Sequence, residues 1–575
     1  MLYSKLAQLY QDLDSTTKRL EKTDILSKFL KNLKPENDEI LYLLLGNIYP
    51  QYDERKIGIS EKLVIKAIAK TTGLPPSKII HSWKEIGDLG KVAEKLTQSK
   101  KQSTLHSEIL TTQKVLTNLR KLPELVGTGT VDKKISLIAE LLSSATPLEA
   151  KYISRTLIGD LRIGIQESTI RDSMAIAFFK SEDKKINSQK VQEAIDKSND
   201  LVKVFKIIQE GKITKLEKLS LEIGKPIKAM LAQKAENIND AFKKLGKPCA
   251  IEYKYDGFRL IIHKQGKEVI LFTRRLENVT KQFPEVKEFI LKYVKGDSFI
   301  LDSEAVGYHK KTKEYTQFQA ISQRIRRKYN IEKMQKELPV EINVFDILFY
   351  NGKSYLNQPF KKRSALLRKI ITKHPYKIVY SKQIISENEK EANEFYKKAL
   401  RDNQEGIMMK NLDARYQPGS RVGHMLKIKP SEKDLDLVIT GGEYGKGKRK
   451  GWLSSFILSC KGKKSGEYLE IGKVGTGIKE IENENNSEEI TFTKLNQLLK
   501  PFIIKEKGKS VSIKPKIIVS ITYQEIQHSP NYNSGWALRF PRITALRNDK
   551  PLSEIADLKE IEKDFFAQKR NWRYG

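Results

Sequence analysis

The sequence predicts a multidomain protein of mixed class: an all-α N-terminal region over residues 1–224, an α+β region over 225–430 and a C-terminal β-barrel over 431–575. Three observations carry this. In the first part leucine and isoleucine recur at steps of three and four, as in LYLLLGNIYP and KKISLIAELLSSAT, the period of amphipathic helices. In GKPIKAMLAQKAE (Gly224–Glu236) a proline breaks that texture, and short β-rich runs then alternate with helices. After Lys429-Pro430 strands dominate: DLDLVITGGEYG, SSFILSCKG, EYLEIGKVGTG and KIIVSITYQEI. A chain of 575 residues is also long for a single core.

Taken in order, the first segment, MLYSKLAQLYQDLDSTTKRLEK, has the pattern of an amphipathic helix and not of a signal peptide. Thr146-Pro147 with Glu149 following marks a helix start. In the middle region IEYKYDGFRL (Ile251–Leu260) reads as a half-buried strand ending in an Asp-Gly turn. Ile251, Tyr253 and Tyr255 share one face, and Glu252, Lys254 and Asp256 the other. FRLIIH and EVILFTRR follow as two strands joined through Lys264-Gln265-Gly266.

Composition narrows the partners. Lys and Arg number 106 against 71 Asp and Glu, a formal net charge of +35, far beyond what solubility needs. Such an excess points to a polyanion, with nucleic acid ahead of a membrane surface. No run of about 18 apolar residues exists to span a bilayer. The two cysteines, Cys249 and Cys460, have no partners at zinc-ligand spacing, which excludes a four-cysteine zinc module. These features fit a cytoplasmic or nucleoid-associated protein.

The chemistry gathers around Lys254. ILDSEAVGY (Ile300–Tyr308) is a strand with Asp302 and Glu304 on one face, VFDILFY (Val344–Tyr350) an apolar strand interrupted by one acid, EGIMMK (Glu405–Lys410) a strand with an acid at its mouth. HMLKIKP (His424–Pro430) sets Lys427 and Lys429 on one face. Lysines can neutralise a phosphate and favour the neutral, nucleophilic form of a neighbouring amine, while the carboxylates suit Mg²⁺. Strand parity puts Lys410 on the face opposite Glu405, which leaves it out of the set unless a bulge re-aims it.

KYDGFR (Lys254–Arg259) fits the K-x-D-G-x-R signature shared by DNA ligases, RNA ligases and mRNA capping enzymes. TRR (Thr273–Arg275), SEAVGY, VFDIL, EGIMMK and LKIK follow in the order of ATP-dependent DNA ligases, and RFPR (Arg539–Arg542) resembles their last motif. RTLIGDLRIGIQES (Arg155–Ser168) is similar to the DNA-binding domain of the archaeal and eukaryotic replicative type, and IKAMLAQ (Ile227–Gln233) to the segment leading into their catalytic domain. The resemblance spans essentially the whole chain. It implies a helical DNA-binding domain, an adenylation (nucleotidyltransferase) domain and an OB-fold domain.

It further implies that Lys254 is the adenylylated nucleophile, that Glu252 contacts adenine and Phe345 stacks on it, and that Arg259 and Arg274 contact the nucleotide or the 5′-phosphate of the nick. Glu304 and Glu405 serve the metal, Mg²⁺ or another divalent cation, with Glu304 also at the nucleotide; Arg421 and Lys427 reach the ATP phosphates. The implied substrate is nicked double-stranded DNA, bound by a monomer, with a sliding clamp as a further partner. The one candidate clamp peptide, KQSTLHSEIL (Lys101–Leu110), lacks the aromatic pair of such motifs. Met425 stands where some relatives carry tryptophan.

Each feature also has a plainer reading. Phe345 alone would be core, Glu304 a surface acid, Arg542 a surface arginine, and RIRRK (Arg324–Lys328) a solvated face that also touches phosphate backbone. His424 and His528 have no ligand spacing and are incidental. GEYGKGKR (Gly442–Arg449) falls short of a P-loop because Arg449 replaces the required Ser or Thr. An RNA ligase or capping guanylyltransferase shares the Lys254 motif, and a catalytically silent nucleic-acid scaffold shares the charge. The long helical region with its LRIG segment argues against the first, and the intact Lys254, Glu304 and Lys427 set against the second.

Overall fold

A computed structural model describes the chain apart from residues 51, 54, 99–108, 128, 180–182, 317, 326, 328, 431–432, 446–448, 450, 481–489 and 571–575. The clamp-peptide candidate lies outside the described residues over 101–108, as does the P-loop-like run over 446–448. Contacts divide the chain into two compact units: Met1–Ala399 with Asn403–Ile428, and Leu400–Asp402 with the residues from Lys429 onward. No helix among the described residues is long and apolar enough to cross a membrane.

The first unit begins with helices, from Tyr3–Ser15 to Thr214–Glu217. Leu6, Ala7, Tyr10 and Leu13 of the first helix point into their shared core, as its amphipathic pattern requires. Thr146 forms a capping box: its hydroxyl accepts from the Glu149 N–H (3.4 Å), and Glu149 accepts from the Thr146 N–H (2.8 Å). LYLLLGNIYP is helical only over Ile40–Leu44, five residues that are all buried, before the chain turns at Gly46 (φ +70°).

Beneath these helices lies a buried charge network. Arg155 pairs with Asp88 (2.7 Å) and Asp14 (3.1 Å) and donates to the Leu161 carbonyl (3.3 Å). Burial pushes the Asp88 carboxyl up, but the Arg155 guanidinium outweighs it and holds Asp88 below the usual carboxylate range. The Gly90 backbone leaves the space Arg155 needs, since a Cβ there would lie 2.7 Å from Arg155 Cγ.

The mixed part of this unit holds two sheets. One runs β1 (Leu231–Lys234), β11 (Arg421–Ile428), β10 (Gly406–Asn411), β2 (Cys249–Lys254) and β9 (Gln383–Ser386). The other runs β4 (Glu268–Thr273), β3 (Phe258–Gln265), β5 (Ser298–Gly307), β6 (Val340–Tyr350) and β7 (Lys353–Ser354), with β8 (Ile378–Tyr380) beside β6. Ile261, Ile300 and Leu348 from one sheet meet Val422 and Met425 from the other in one apolar cluster. The β2 strand, expected to be half-buried, is nearly wholly buried because it lies between β10 and β9. Arg324, expected on a solvated face, is instead buried: its helix, Phe318–Ile325, turns it onto Phe283 (4.3 Å) and into an ion pair with Glu285 (2.7 Å). Residues 326 and 328 of the same basic run lie outside the described residues.

The second unit is strand-rich and OB-like. A long strand, β12 (Lys433–Tyr444), pairs with β13 (Leu453–Lys461) and, along its other edge, with β16 (Ser510–Ile513) and β17 (Ile518–Tyr523). β14 (Tyr468–Val474), β15 (Ile503–Lys507) and β20 (Arg542–Leu546) extend this sheet, and β18 (Glu525–His528) pairs with β19 (Trp536–Arg539).

Breaking the Arg155 pair by Arg155→Met should cost about 3 kcal/mol, because buried Asp88 loses its bidentate partner and keeps the longer pair to Arg162 (3.4 Å). Hydrogen exchange should accelerate in residues 89–98 and 147–157 and stay unchanged in β2 and β10. Unaltered exchange in the two helices would refute the assignment.

Candidate active site

The site is built by strand register. β10 runs antiparallel to β2 with Gly406 opposite Lys254, Met408 opposite Glu252 and Lys410 opposite Ala250. Residues directly opposite share a face, so Glu252, Lys254 and Lys410 lie together. Lys427 of β11, opposite Met408, continues the same row. The exclusion of Lys410 on parity was therefore wrong. Glu405 precedes the strand, and Gly406 at φ +142° frees it from the alternation. The Glu405 N–H still donates to the Lys254 carbonyl (2.9 Å), and its carboxylate turns back onto Lys254 Nζ (2.5 Å).

Asp256-Gly257 then carries the chain across to the second sheet. Gly257 is forced by space: a Cβ there would sit 2.3 Å from the Ala305 carbonyl oxygen. This close approach brings Glu304 and Phe345 over the Lys254 row. Phe345 is the extra residue of a β-bulge, since Asp302 pairs with Asp346 and Ser303 with Val344. Its ring is partly exposed and has two cations near it, Arg259 (5.3 Å) and Lys410 (4.9 Å).

Glu252 is held from two sides. Lys410 Nζ lies 2.6 Å from one carboxylate oxygen, and Gln383 Nε2 donates to the other at 2.6 Å. Neither partner belongs to the expected set. Lys410 was legible once β10 was paired with β2; Gln383 lies on β9, outside every motif, and carries no sequence signal.

Below this row Arg259 is a strut. It forms a bidentate pair with fully buried Asp302 and donates to the Met230 carbonyl (2.7 Å) and to Tyr416 Oη (3.3 Å). Most of its donors are thus already committed to protein. A second buried pair, Arg363 with Asp346 (2.7 Å), anchors the residue after Phe345. Burial pushes the Glu304 carboxyl up to about 8, with Lys254 and Arg259 opposing and Glu405 reinforcing. The group paired with Lys254 Nζ is the Glu405 carboxylate.

Two expected residues lie elsewhere. Arg274 is exposed just past β4, on the wall of a cleft of about 710 Å³ that Arg55, Lys56, Lys228, Arg275 and Gly419 also line. Arg421 opens β11, six residues or roughly 20 Å from Lys427 along the strand, and donates to the Ala232 carbonyl (3.2 Å). The structure brings neither to Lys254. His424 is half-buried with its pKa lowered by burial, and His528 stacks on Trp536 (4.2 Å).

A lysine amine flanked by two carboxyl groups, beside an aromatic platform and an oriented glutamate, can accept a nucleotide and attack its phosphate. Comparison with known proteins decides among the enzymes that share such a lysine. The profile described as "ATP dependent DNA ligase domain" matches residues 229–429, "DNA ligase N terminus" residues 2–175, and "ATP dependent DNA ligase C terminal region" residues 449–550. A DNA ligase of Nanoarchaeum equitans is 45% identical over 569 residues, covering 99% of both chains. The chain belongs to the ATP-dependent DNA ligase family. A DNA ligase of Thermococcus fumicolans is 40% identical, again over 99% of each chain. The solved structure "Pmar-Lig_PreS3" shares the fold with a TM-score of 0.56 at 19% identity, covering 94% of this chain and 99% of its own. Sealing nicks in DNA at the expense of ATP is the activity of the family and of this ligase.

A carboxyl with its pKa raised to about 8 folds as a neutral acid, so ionising Glu304 costs stability as pH rises from about 4.5 to about 8. Infrared difference spectra should show a carboxylic acid C=O band titrating near pH 8 that Glu304→Gln abolishes. Titration in the ordinary carboxylate range would mean that the group is hydrated.

Proposed function

We propose that Lys254 is the nucleotidyl acceptor and that the chemistry runs through a lysyl-AMP intermediate. One observation carries this reading: Lys254 Nζ lies on the same strand face as Glu252, Lys410 and Lys427, beneath Glu304 and Phe345. The amine must lose its proton before it attacks, and Glu405 at 2.5 Å is the adjacent acceptor. Lys254 Nζ then bonds to the α-phosphorus of ATP as pyrophosphate leaves. AMP passes to the 5′-phosphate of the nick, and the 3′-hydroxyl displaces AMP to form the phosphodiester.

Phe345 stacks on adenine, Glu252 accepts from its amine, and Lys427 offsets phosphate charge. Arg259 acts mainly by fixing Asp302 and the floor of the site. Arg274, in the cationic cleft, suits the nick 5′-phosphate or the flanking backbone. Arg421 would reach the ATP phosphates only through a rearrangement of the β11 end.

Glu405, and Glu304 once it gives up its proton to the cation's field, suit Mg²⁺ by donor chemistry, as hard oxygens beside a phosphate site. Among the described residues no group of three or more His, Cys, Asp or Glu could hold a metal. Mg²⁺ can use one or two carboxylates and take its other ligands from phosphate and water. When bound, Mg²⁺ offsets charge on the transferring phosphoryl group. Residues 1–224 grip the duplex, 225–430 perform adenylation and 431–575 close on the substrate, in a cytoplasmic or nucleoid-associated monomer.

Lys254→Arg keeps charge and length but cannot supply a neutral amine. It should bind nicked DNA and gain no AMP mass on incubation with ATP, whereas the wild-type chain gains one AMP on Lys254. AMP mapped to another lysine would overturn the assignment.

In the second unit Arg539 is tied to Glu525 (2.7 Å), while Arg542 is exposed at the start of β20. Arg542 therefore tests the RFPR segment with less risk to the fold. Arg542→Ala should slow lysyl-AMP formation roughly tenfold or more and sealing of a pre-adenylylated nick much less. Equal losses in single-turnover rates of both steps would assign the residue to DNA instead of departing pyrophosphate.

A further inference from the structure

Glu252 can read a base only if its carboxylate is presented at a fixed angle and as an acceptor. The group that aims it lies on the neighbouring strand. Gln383 is the register partner of Glu252 across β2 and β9, and its amide Nε2 donates to Glu252 Oε1 at 2.6 Å. An amide has two ends, so this donation needs the oxygen end held. Arg368 Nη2 donates to Gln383 Oε1 at 2.8 Å, and Ser364 Oγ donates to the same oxygen at 3.2 Å. Arg368 and Ser364 are four apart on the helix Phe360–Ile370 and thus on one face of it. Arginine carries donors only, so the amide oxygen must turn to the helix and the NH₂ to Glu252. Arg368 is itself braced over the Tyr380 ring (4.7 Å).

On the other side Lys410 Nζ, also donor-only, takes Glu252 Oε2 at 2.6 Å. One carboxylate oxygen therefore holds a hydrogen-bond donor and the other a cation, and the capacity that remains accepts only. Adenine presents a 6-amino donor to such a group. A purine without that amine offers nothing, and guanine in the same pose presents its O6 acceptor.

We infer that Gln383, oriented by Arg368 and Ser364, is a specificity-determining positioning residue that sets Glu252 to select a 6-aminopurine nucleotide as AMP donor. This rests on the reading of Glu252 as the adenine contact. It extends that reading to a relay running from the Phe360–Ile370 helix through β9 to the base. Gln383 touches no reacting atom; it acts through Glu252.

The test compares ATP with purine ribonucleoside triphosphate, the analogue lacking the 6-amino group, in single-turnover lysyl-AMP formation by the full chain. Wild type should prefer ATP in kcat/KM by at least about tenfold. In Gln383→Met the preference should fall by about tenfold, through a higher KM for ATP more than a lower kcat. Gln383→Glu, which keeps size and replaces the donor by an acceptor, should lose at least as much. Arg368→Met, a surface change, should show a smaller loss of the same kind, and circular dichroism verifies folding of each variant. A Gln383→Met protein that retains the wild-type ATP preference would overturn the role of Gln383. A wild-type protein that does not distinguish the two nucleotides would overturn the Glu252 reading itself, and the relay with it.

Discussion

The antiparallel register of β2 on β10 is the constraint from which the site follows. With Gly406 opposite Lys254 and Met408 opposite Glu252, three functional side chains occupy one face of two strands. A slip of one residue would send them all to the opposite face, where Ile251, Tyr253, Ile407 and Met409 now form a core. The apolar side of β2 thus positions the polar side. That arrangement needs no flexible loop, and it explains how a lysine can be held at 21% side-chain exposure beside a carboxylate.

Around this face the protein places fully paired ions where hydrophobic packing would otherwise serve. Asp302 and Asp346 are both essentially inaccessible, and each meets a bidentate arginine. Such pairs add little net stability, because desolvation offsets most of their attraction. Their value lies in direction. A guanidinium fork accepts one carboxylate orientation, so Arg259 at Asp302 and Arg363 at Asp346 fix the two strands where they pair beside Phe345, more tightly than apolar contacts would. The relay from Arg368 to Glu252 uses the same logic at partial exposure.

Much of this was legible in the sequence because strands and motifs coincide. KYDGFR, SEAVGY, VFDIL, EGIMMK and LKIK each fall on the strand or turn their periodicity implies, and Lys254, Glu252, Glu304, Phe345, Glu405 and Lys427 do converge. What stayed hidden depends on pairing between distant strands. Lys410 was misjudged because counting parity from Glu405 assumes that the strand already includes it, whereas Gly406 breaks the alternation at that point. Gln383 could not be found, since nothing local marks a glutamine that acts 131 residues away. The buried Arg324 shows the converse error: a run of cations reads as solvated until a helix turns one of them inward.

The bulge at Phe345 has an implication for how this strand can vary. Val340, Ile342 and Val344 face one core on even numbers, while Ile347 reaches the same core on an odd number. The strand changes phase midway, where the extra residue carries the aromatic ring, and a second extra residue falls at Leu348. Point substitutions of the ring alter only the platform. Loss of that one residue would let the ladder close without interruption, with Asp346 and Ile347 still opposite Asp302 and Leu301, and the site would lose only its platform. The platform therefore depends on an inserted position as well as on its aromatic side chain: a strand that alternated without interruption would keep its core face and have no residue to place over the lysine row.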